Sequence, residues 1–400
     1  MRRQRGLVGL TGLATLVGLG MFAQPAMSGV TTEQSASILV FPKVIANGTR
    51  DTVIQITNTS NVMRHAHCFY VDGAPVTAGL PPGPLNPPSC TEIDFDIWLT
   101  KQQPTHWVVS RGRQVYPSDL DCRGHVCNPA TSGGPRAQTD VAPAIAVADC
   151  CDAGIDPGRV PPVAPDFTGE LKCIEVDSSG APESGNALKG EATIEDPTTG
   201  DVSKYNAVGF VGNNNNNGDN VLCLGNSSAA GDPAACPLGA EYSACPASWY
   251  LDTTAVGAID PVLEDNGIDS SVGANLTVVP CTENFETQVP TSVTLQFVVI
   301  NEFEQSLSTS TTVTCWASWD LGSQVWSDVF NTGTLGGKLA QTRMRSATGT
   351  PRGVLAVVEE THTELTTGGL TARSAQNGHT SFQDQPGLDK VTIPGDQLLP

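Results

Sequence analysis

Between residues 92 and 99, Ile93, Phe95, Ile97 and Leu99 alternate with Glu92, Asp94, Asp96 and Trp98. This two-residue period is that of a strand with one face in a core and the other toward solvent. Similar short β-rich runs recur along the chain. The run 38–44 leads through Asn47-Gly48 into 51–57, and Asn-Gly between two β-branched runs predicts a hairpin because both residues tolerate positive φ. Further strands are predicted at 66–71 and 106–110, and the runs 171–176, 188–194 and 205–211 read as a meander. Val293, Leu295, Phe297 and Val299 again alternate with polar neighbours, 311–316 returns, and 354–358 adds one more strand. No segment sustains a helical period over three turns.

These runs predict an all-β chain of antiparallel β-sandwich domains. Residues 29–110 form the first sandwich and 166–360 the second. Between them, 111–165 exchange alternation for Pro, Gly and four Cys and read as a stapled connector. The five-Asn tract 213–217 reads as a loop. The tail 361–400 is expected to be mostly disordered, with a last strand at 391–393.

The first 28 residues follow another logic. Arg2, Arg3 and Arg5 precede an apolar run over 6–23 and a small-x-small step at Ala26-Met27-Ser28, the layout of a secretory signal peptide cleaved before Gly29. Glycines dilute the run too far for a good membrane anchor, and no later stretch approaches the length of a spanning helix. The expected location is exported, periplasmic or extracellular, with no transmembrane anchor after removal of the signal.

An exported chain changes the reading of its cysteines. Cys68, Cys90, Cys122, Cys127, Cys150, Cys151, Cys173, Cys223, Cys236, Cys245, Cys281 and Cys315 are an even set and read as disulfides. Cys122 with Cys127 and Cys236 with Cys245 are close enough to close small loops. Cys150 and Cys151 are expected to bond to different partners, since adjacent Cys pair only with strain. The formal charge of −20, from 21 Lys+Arg against 41 Asp+Glu, makes a surface that repels phosphate backbones and anionic lipid, so nucleic acid is not an expected partner.

The stretch from Ser37-Ile38-Leu39-Val40-Phe41-Pro42 through Asp51-Thr52-Val53-Ile54-Gln55-Ile56-Thr57-Asn58-Thr59-Ser60 resembles the opening strands of immunoglobulin-like modules in secreted bacterial proteins. With Asn301-Glu302-Phe303-Glu304-Gln305 and Val313-Thr314-Cys315-Trp316, the chain is similar to a group of exported bacterial proteins carrying such β-sandwich modules. The resemblance implies the fold and the exported setting and brings no catalytic residues. The second strand lacks the Cys with which the inter-sheet bridge of antibody domains begins.

The best candidate for chemistry is His65-x-His67, whose imidazoles share one face of a strand with Cys68 on the other. A third ligand from His106 or His125 would complete a zinc or copper site, giving His65, His67 and His125 as the candidate metal residues. Cys122 and Cys127 flank His125 and are better read as a disulfide. Carboxylate pairs at Asp94/Asp96, Asp119/Asp121 and Glu302/Glu304 read as solvated strand faces rather than glycosidase acids. No cofactor is expected, although loops such as 260–269 could hold calcium weakly. Trp316, Trp319 and Trp326 could form a sugar platform, with Trp316 better suited to a core. No nucleophile, zincin, haem or phosphate-loop motif is present, so no catalytic residue is assigned. The expected function is a structural or interaction protein, by self-association or with a cell-surface partner. Metal binding is the first alternative and carbohydrate binding or cleavage the second.

Overall fold

The computed structural model describes residues 29–77, 86–113, 160–213, 216–225, 236, 239–323, 328–347, 352–368, 370–377, 379–380 and 389–395. The expected signal segment and residues 114–159 of the connector lie outside them. The amino-terminal strands are β1 (Ile38–Ala46), β2 (Asp51–Asn58), β3 (Arg64–Asp72), β4 (Glu92–Leu99), β5 (Pro104–Val108), β6 (Phe167–Val176), β7 (Leu188–Glu195), β8 (Val202–Asn206) and β9 (Val208–Phe210). Then come β10 (Val221–Leu224), β11 (Ser248–Thr254), helix α1 (Pro261–Asp265), β12 (Ser270–Pro280), β13 (Glu283–Asn284), β14 (Ser292–Ile300) and β15 (Ser306–Thr314). The chain continues with β16 (Ala317–Asp320), helix α2 (Thr332–Leu335), β17 (Leu339–Ser346), β18 (Val354–Glu364), β19 (Leu370–Asn377), β20 (His379–Thr380) and β21 (Asp389–Thr392).

β1 to β9 form one antiparallel sheet, ordered β4-β3-β6-β1-β2-β7-β8, with β5 on β2 and β9 on β1. The expected hairpin closes where the Asn47 side chain accepts from the Thr49 and Arg50 amides at 2.9 and 2.7 Å. β1 and β2 pair only at Ala46 and Asp51 and then part, β1 to β6 and β9, β2 to β5 and β7. The sheet thus folds over itself at this corner. Phe41 of β1 lies so close to Gly190 of β7 that an added Cβ would fall 2.6 Å from its ring, which is why this strand carries glycine there. Leu39, Phe41, Ile54, Tyr70, Phe95, Trp107 and Ile194 fill the space between the folded halves. The Trp107 indole donates to the Tyr70 hydroxyl at 2.6 Å, so the largest polar groups of this core satisfy each other.

Alternate residues of the same strands look the other way. Ile38, Val40, Phe69, Val71, Ile174 and Val176 share a second core with Trp249, Leu276, Phe297 and Phe330 of the carboxyl-terminal sheets. β1 is consequently buried at every position, whereas β14 alternates strictly because its outer face meets solvent. The carboxyl-terminal sheets run β15-β14-β17-β11-β20, β16-β12-β18-β19 and β10-β21-β13, and β12 and β18 pair along eleven positions from Ser270 with Glu364 to Pro280 with Val354. Trp316 fastens the two parts: its indole donates to the Pro42 carbonyl at 2.9 Å, and its ring rests where a Cβ on Gly73 would fall 2.2 Å away.

Several expectations change. The sheets do not divide at residue 166, because β6 to β9 complete the first sheet. Nor is 171–211 a plain meander: β7 pairs with β8, but β6 enters between β1 and β3, where its apolar residues are covered on both faces. The tail carries β19, β20 and β21, and Val391 and Ile393 are buried because β21 sits between β10 and β13. Four disulfides join Cys68 to Cys173, Cys90 to Cys315, Cys223 to Cys236 and Cys245 to Cys281. The expected Cys236–Cys245 loop is therefore not formed: Cys236 meets Cys223 of β10, and Cys245 is buried beside Gly353 facing Cys281. Cys122, Cys127, Cys150 and Cys151 lie outside the described residues. Bridges of this kind belong to a chain that folds where thiols oxidise. Among the described residues no helix is long and apolar enough to cross a membrane.

The Cys90–Cys315 bridge closes a span of 225 residues and ties the first sheet to the end of β15. Replacing both Cys with Ser is expected to lower stability by about 2–4 kcal/mol by freeing the unfolded chain. Guanidinium unfolding of the double variant checks this through the displaced midpoint.

Candidate functional site

His65 and His67 project from β3 on one face, and Cys68 points into the opposite core, as strand geometry requires. His65 is buried and fully engaged. Its Nε2 lies 2.7 Å from Asp96 Oδ1, its Nδ1 3.0 Å from the Asp177 carbonyl, and its ring stacks on Trp98 with centroids 3.8 Å apart. His67 stacks on Phe69 and brings Nε2 to 3.7 Å from Asp94 Oδ2, too far for a hydrogen bond. The neighbouring imidazole still holds the Asp94 carboxyl below the usual carboxylate range. Asp94 and Asp96 are thus cross-strand partners of the two histidines. Both nitrogens of His65 face oxygen atoms of the protein, so neither is open to a metal. Among the described residues no group of three or more His, Cys, Asp or Glu converges as a metal set, and His125 lies outside them.

The remaining sequence candidates have local roles. Asp260 caps α1 through the Val262 and Leu263 amides and pairs with His362 at 2.6 Å, so the 260–269 loop spends its first carboxylate on structure. Glu302 accepts from the Lys338 and Leu339 amides at 2.8 and 3.1 Å. Trp316 is core, Trp319 packs partly buried at the core margin, and Trp326 and the Asp119/Asp121 pair lie outside the described residues.

Two buried charge clusters were not foreseen. In one, Lys43 of β1 and Arg50 of the β1–β2 turn converge on Glu359 of β18, with Lys43 Nζ 2.8 Å from one carboxylate oxygen and Arg50 held against both. Lys43 also donates to Asn275 Oδ1 at 2.7 Å, and Ser203 to Glu359 at 2.9 Å. This cluster borders a cleft of about 470 Å³ between the first sheet and β12, β16 and β18. Burial alone would raise the Glu359 carboxyl, but the charges and hydrogen bonds of Lys43 and Arg50 outweigh it and hold it down at about 2. Burial pulls the Lys43 amine down, against its pairing with Glu359.

In the other cluster, Glu170 and Lys172 of β6 face Glu283 of β13. Lys172 Nζ hydrogen-bonds Glu283 Oε2 and stands 3.9 Å from Glu170 Oε1. All three side chains are buried, and neither Glu170 oxygen meets an N–H or O–H of another residue. Burial, then the charge of Glu283, push the Glu170 carboxyl well above its usual range. That direction favours its protonated form, with Glu283 as its hydrogen-bond neighbour. The signal in the sequence was Glu-x-Lys inside a strand whose other residues are mostly apolar.

The third feature is a surface. Ser292, Thr294 and Gln296 of β14 and Ser306, Ser308, Ser310 and Thr312 of β15 stand on the exposed face of their sheet. Hydroxyls pair across the strands, Ser292 with Thr314 at 2.7 Å and Thr294 with Thr312 at 3.0 Å. Arg345 donates to Gln296, and Arg343 lies over the Tyr250 ring at 6.0 Å. β15 is an edge: beyond it no strand pairs among the described residues, and its nine residues hold no charge and no Pro. Natural edges usually carry such blocks to strand addition. A scan against family models finds no match to this chain, and neither does a search of curated proteins.

Glu359→Gln leaves Lys43 and Arg50 facing a neutral group, with Asp320 near Lys43 as a weaker counter-charge, and is expected to cost about 3–5 kcal/mol. In the parent chain the depressed carboxyl contributes stability that is complete above its ordinary value of 4.5 and is lost as pH falls through about 2. Urea unfolding at a series of pH values checks both: the variant should be weaker at neutral pH and show a shallower loss in acid.

Proposed function

We propose that this chain is an exported, non-catalytic structural or interaction protein of the cell surface or extracellular space, built from immunoglobulin-like sandwich modules, and that it joins a second copy of itself along β15. The unblocked β15 edge carries the reading. Backbone groups on a free edge are a ready template for another strand. A two-fold axis through Ser310 would set Leu307 against Val313 and Thr309 against Thr311, with Ser and Thr alone on the outer side. Such a pairing meets no like charges, although the chain as a whole is strongly acidic.

Export rests on the basic-then-apolar opening of residues 1–28 and on the disulfides, whose formation needs an oxidising compartment such as the periplasm or the outside. The sandwich reading rests on the first sheet folding over at the β1–β2 corner to enclose a core between its two halves. Metal binding by His65 and His67 has less support, since both His65 nitrogens are engaged by Asp96 and Asp177 and the two rings are stacked on Trp98 and Phe69.

Sedimentation of the mature chain at micromolar concentration is expected to show a dimer or larger assembly. Thr309→Lys, which places an inward-pointing charge on the edge, should return it to a monomer without unfolding it. A parent chain that sediments only as a monomer overturns the proposal.

A further inference from the structure

We propose that Lys172 and Glu283 become joined by an intramolecular amide bond, with Glu170 as the proton carrier of the reaction. The inference is independent of how the chain associates. Its basis is the second buried cluster: an amine on β6 in hydrogen-bond contact with a carboxyl on β13, and a third carboxyl whose two oxygens meet no donor. Lys172 is 1% exposed, Glu170 0% and Glu283 6%, so the three are withdrawn from water together. The amine also stands 5.4 Å over the Phe285 ring, which stacks on Phe69 at 4.0 Å and closes one side of the pocket.

Amines and carboxylic acids do not condense in water because the hydrated salt is more stable than the amide. Burial lessens that advantage because the salt loses its hydration. It pulls the Lys172 amine down, but the charges of Glu170 and Glu283 outweigh it, so the proton must pass to Glu283 before the nitrogen can add. Holding the reacting atoms in contact replaces a bimolecular encounter by a local step. Glu170 supplies what a bare ion pair lacks, a carboxyl beside the acceptor whose burial favours the protonated form.

The steps balance. The Lys172 ammonium passes one proton to the Glu283 carboxylate, and the neutral nitrogen adds through its lone pair to Glu283 Cδ. Glu170 gives its proton to the oxygen that gains negative charge and takes one from the nitrogen. A carbon–oxygen bond of the tetrahedral centre then breaks, water leaves, and Glu170 ends protonated as it began. One ammonium and one carboxylate have become one amide and one water; nothing is oxidised or reduced, and no co-reactant is needed. The Glu92 carboxyl is raised to about 7 by burial, with Glu283 adding to the effect, so the surroundings also disfavour a fully ionised cluster.

The product would fasten the first sheet to the segment that pairs with β21. Unlike the Cys90–Cys315 bridge, this fastening would survive reduction.

The test is the intact mass of the full folded chain after denaturation, complete reduction and alkylation. The expected mass is one water below that of the sequence for the amino terminus found, and digestion should yield a Lys172 peptide covalently joined to a Glu283 peptide. A mass equal to the full composition, or a missing water that maps to other residues, overturns the proposal; neither result depends on a variant folding. In Glu170→Gln, checked for folding by near-ultraviolet circular dichroism, the water should be retained. Complete cross-linking in folded E170Q would overturn the role given to Glu170.

Discussion

Everything in this structure depends on a layer of strands covered on both faces. β1, β3 and β6 put alternate side chains into two different cores, one enclosed by the folded first sheet and one shared with the carboxyl-terminal sheets. Such strands must be buried almost throughout, and β1 and β6 are. The layer makes two apparent domains into one packed body. It also explains why chain order and spatial order disagree: β6, far along the sequence, has to enter between β1 and β3 to complete the layer.

The same constraint dictates where charge can go. A polar side chain on a two-faced layer has no route to water, so it must find a partner within the fold, and several find it across the interface. Lys43 and Arg50 find Glu359, Lys172 finds Glu283, and the Trp316 indole finds the Pro42 carbonyl. Each of these contacts crosses from the first sheet to the carboxyl-terminal part. Together with Cys90–Cys315 they set the registry of the two parts more specifically than apolar packing alone could, since a slipped arrangement would strand several buried charges. The outer side of this sheet is built differently, with mostly Ser, Thr, Gln and Arg on the exposed face of β14, β15 and β17 and an edge at β15 beyond which no strand pairs among the described residues.

How much of this was legible in the sequence follows from which faces are buried. β14 has one solvent face, so alternation revealed it to within a residue; the same period located β4, but its expected solvent face is largely covered, with Trp98 buried against His65, while Ile93 is exposed. The turn at Asn47-Gly48 was legible because its chemistry is local, but it is closed by the Asn47 side chain and not by positive φ, and the strands it joins pair at one position. β12 was missed: Gly273, Ala274 and Asn275 dilute its pattern, and its burial is decided by β18, about eighty residues away. Disulfide pairing failed for Cys236 and Cys245 because sequence proximity says nothing of which side of a core each reaches. At the candidate sites, the common face of His65 and His67 was legible, but their cross-strand acids were not. They could have been sought, since His-x-His and Asp-x-Asp on neighbouring strands are suited to pair. The buried Glu170–Lys172–Glu283 cluster joins residues from distant strands, and only the Glu-x-Lys in β6 marked it.

The central claim, that the two-faced layer makes the chain a single cooperative body, is tested most directly by hydrogen exchange through a guanidinium series. Amides of the β2–β7 pair and of the β14–β17 pair are read separately. The account predicts that both sets lose protection at one midpoint, because neither core can open without exposing a face of the shared layer. Two well-separated midpoints would contradict it and restore the picture of independent consecutive domains.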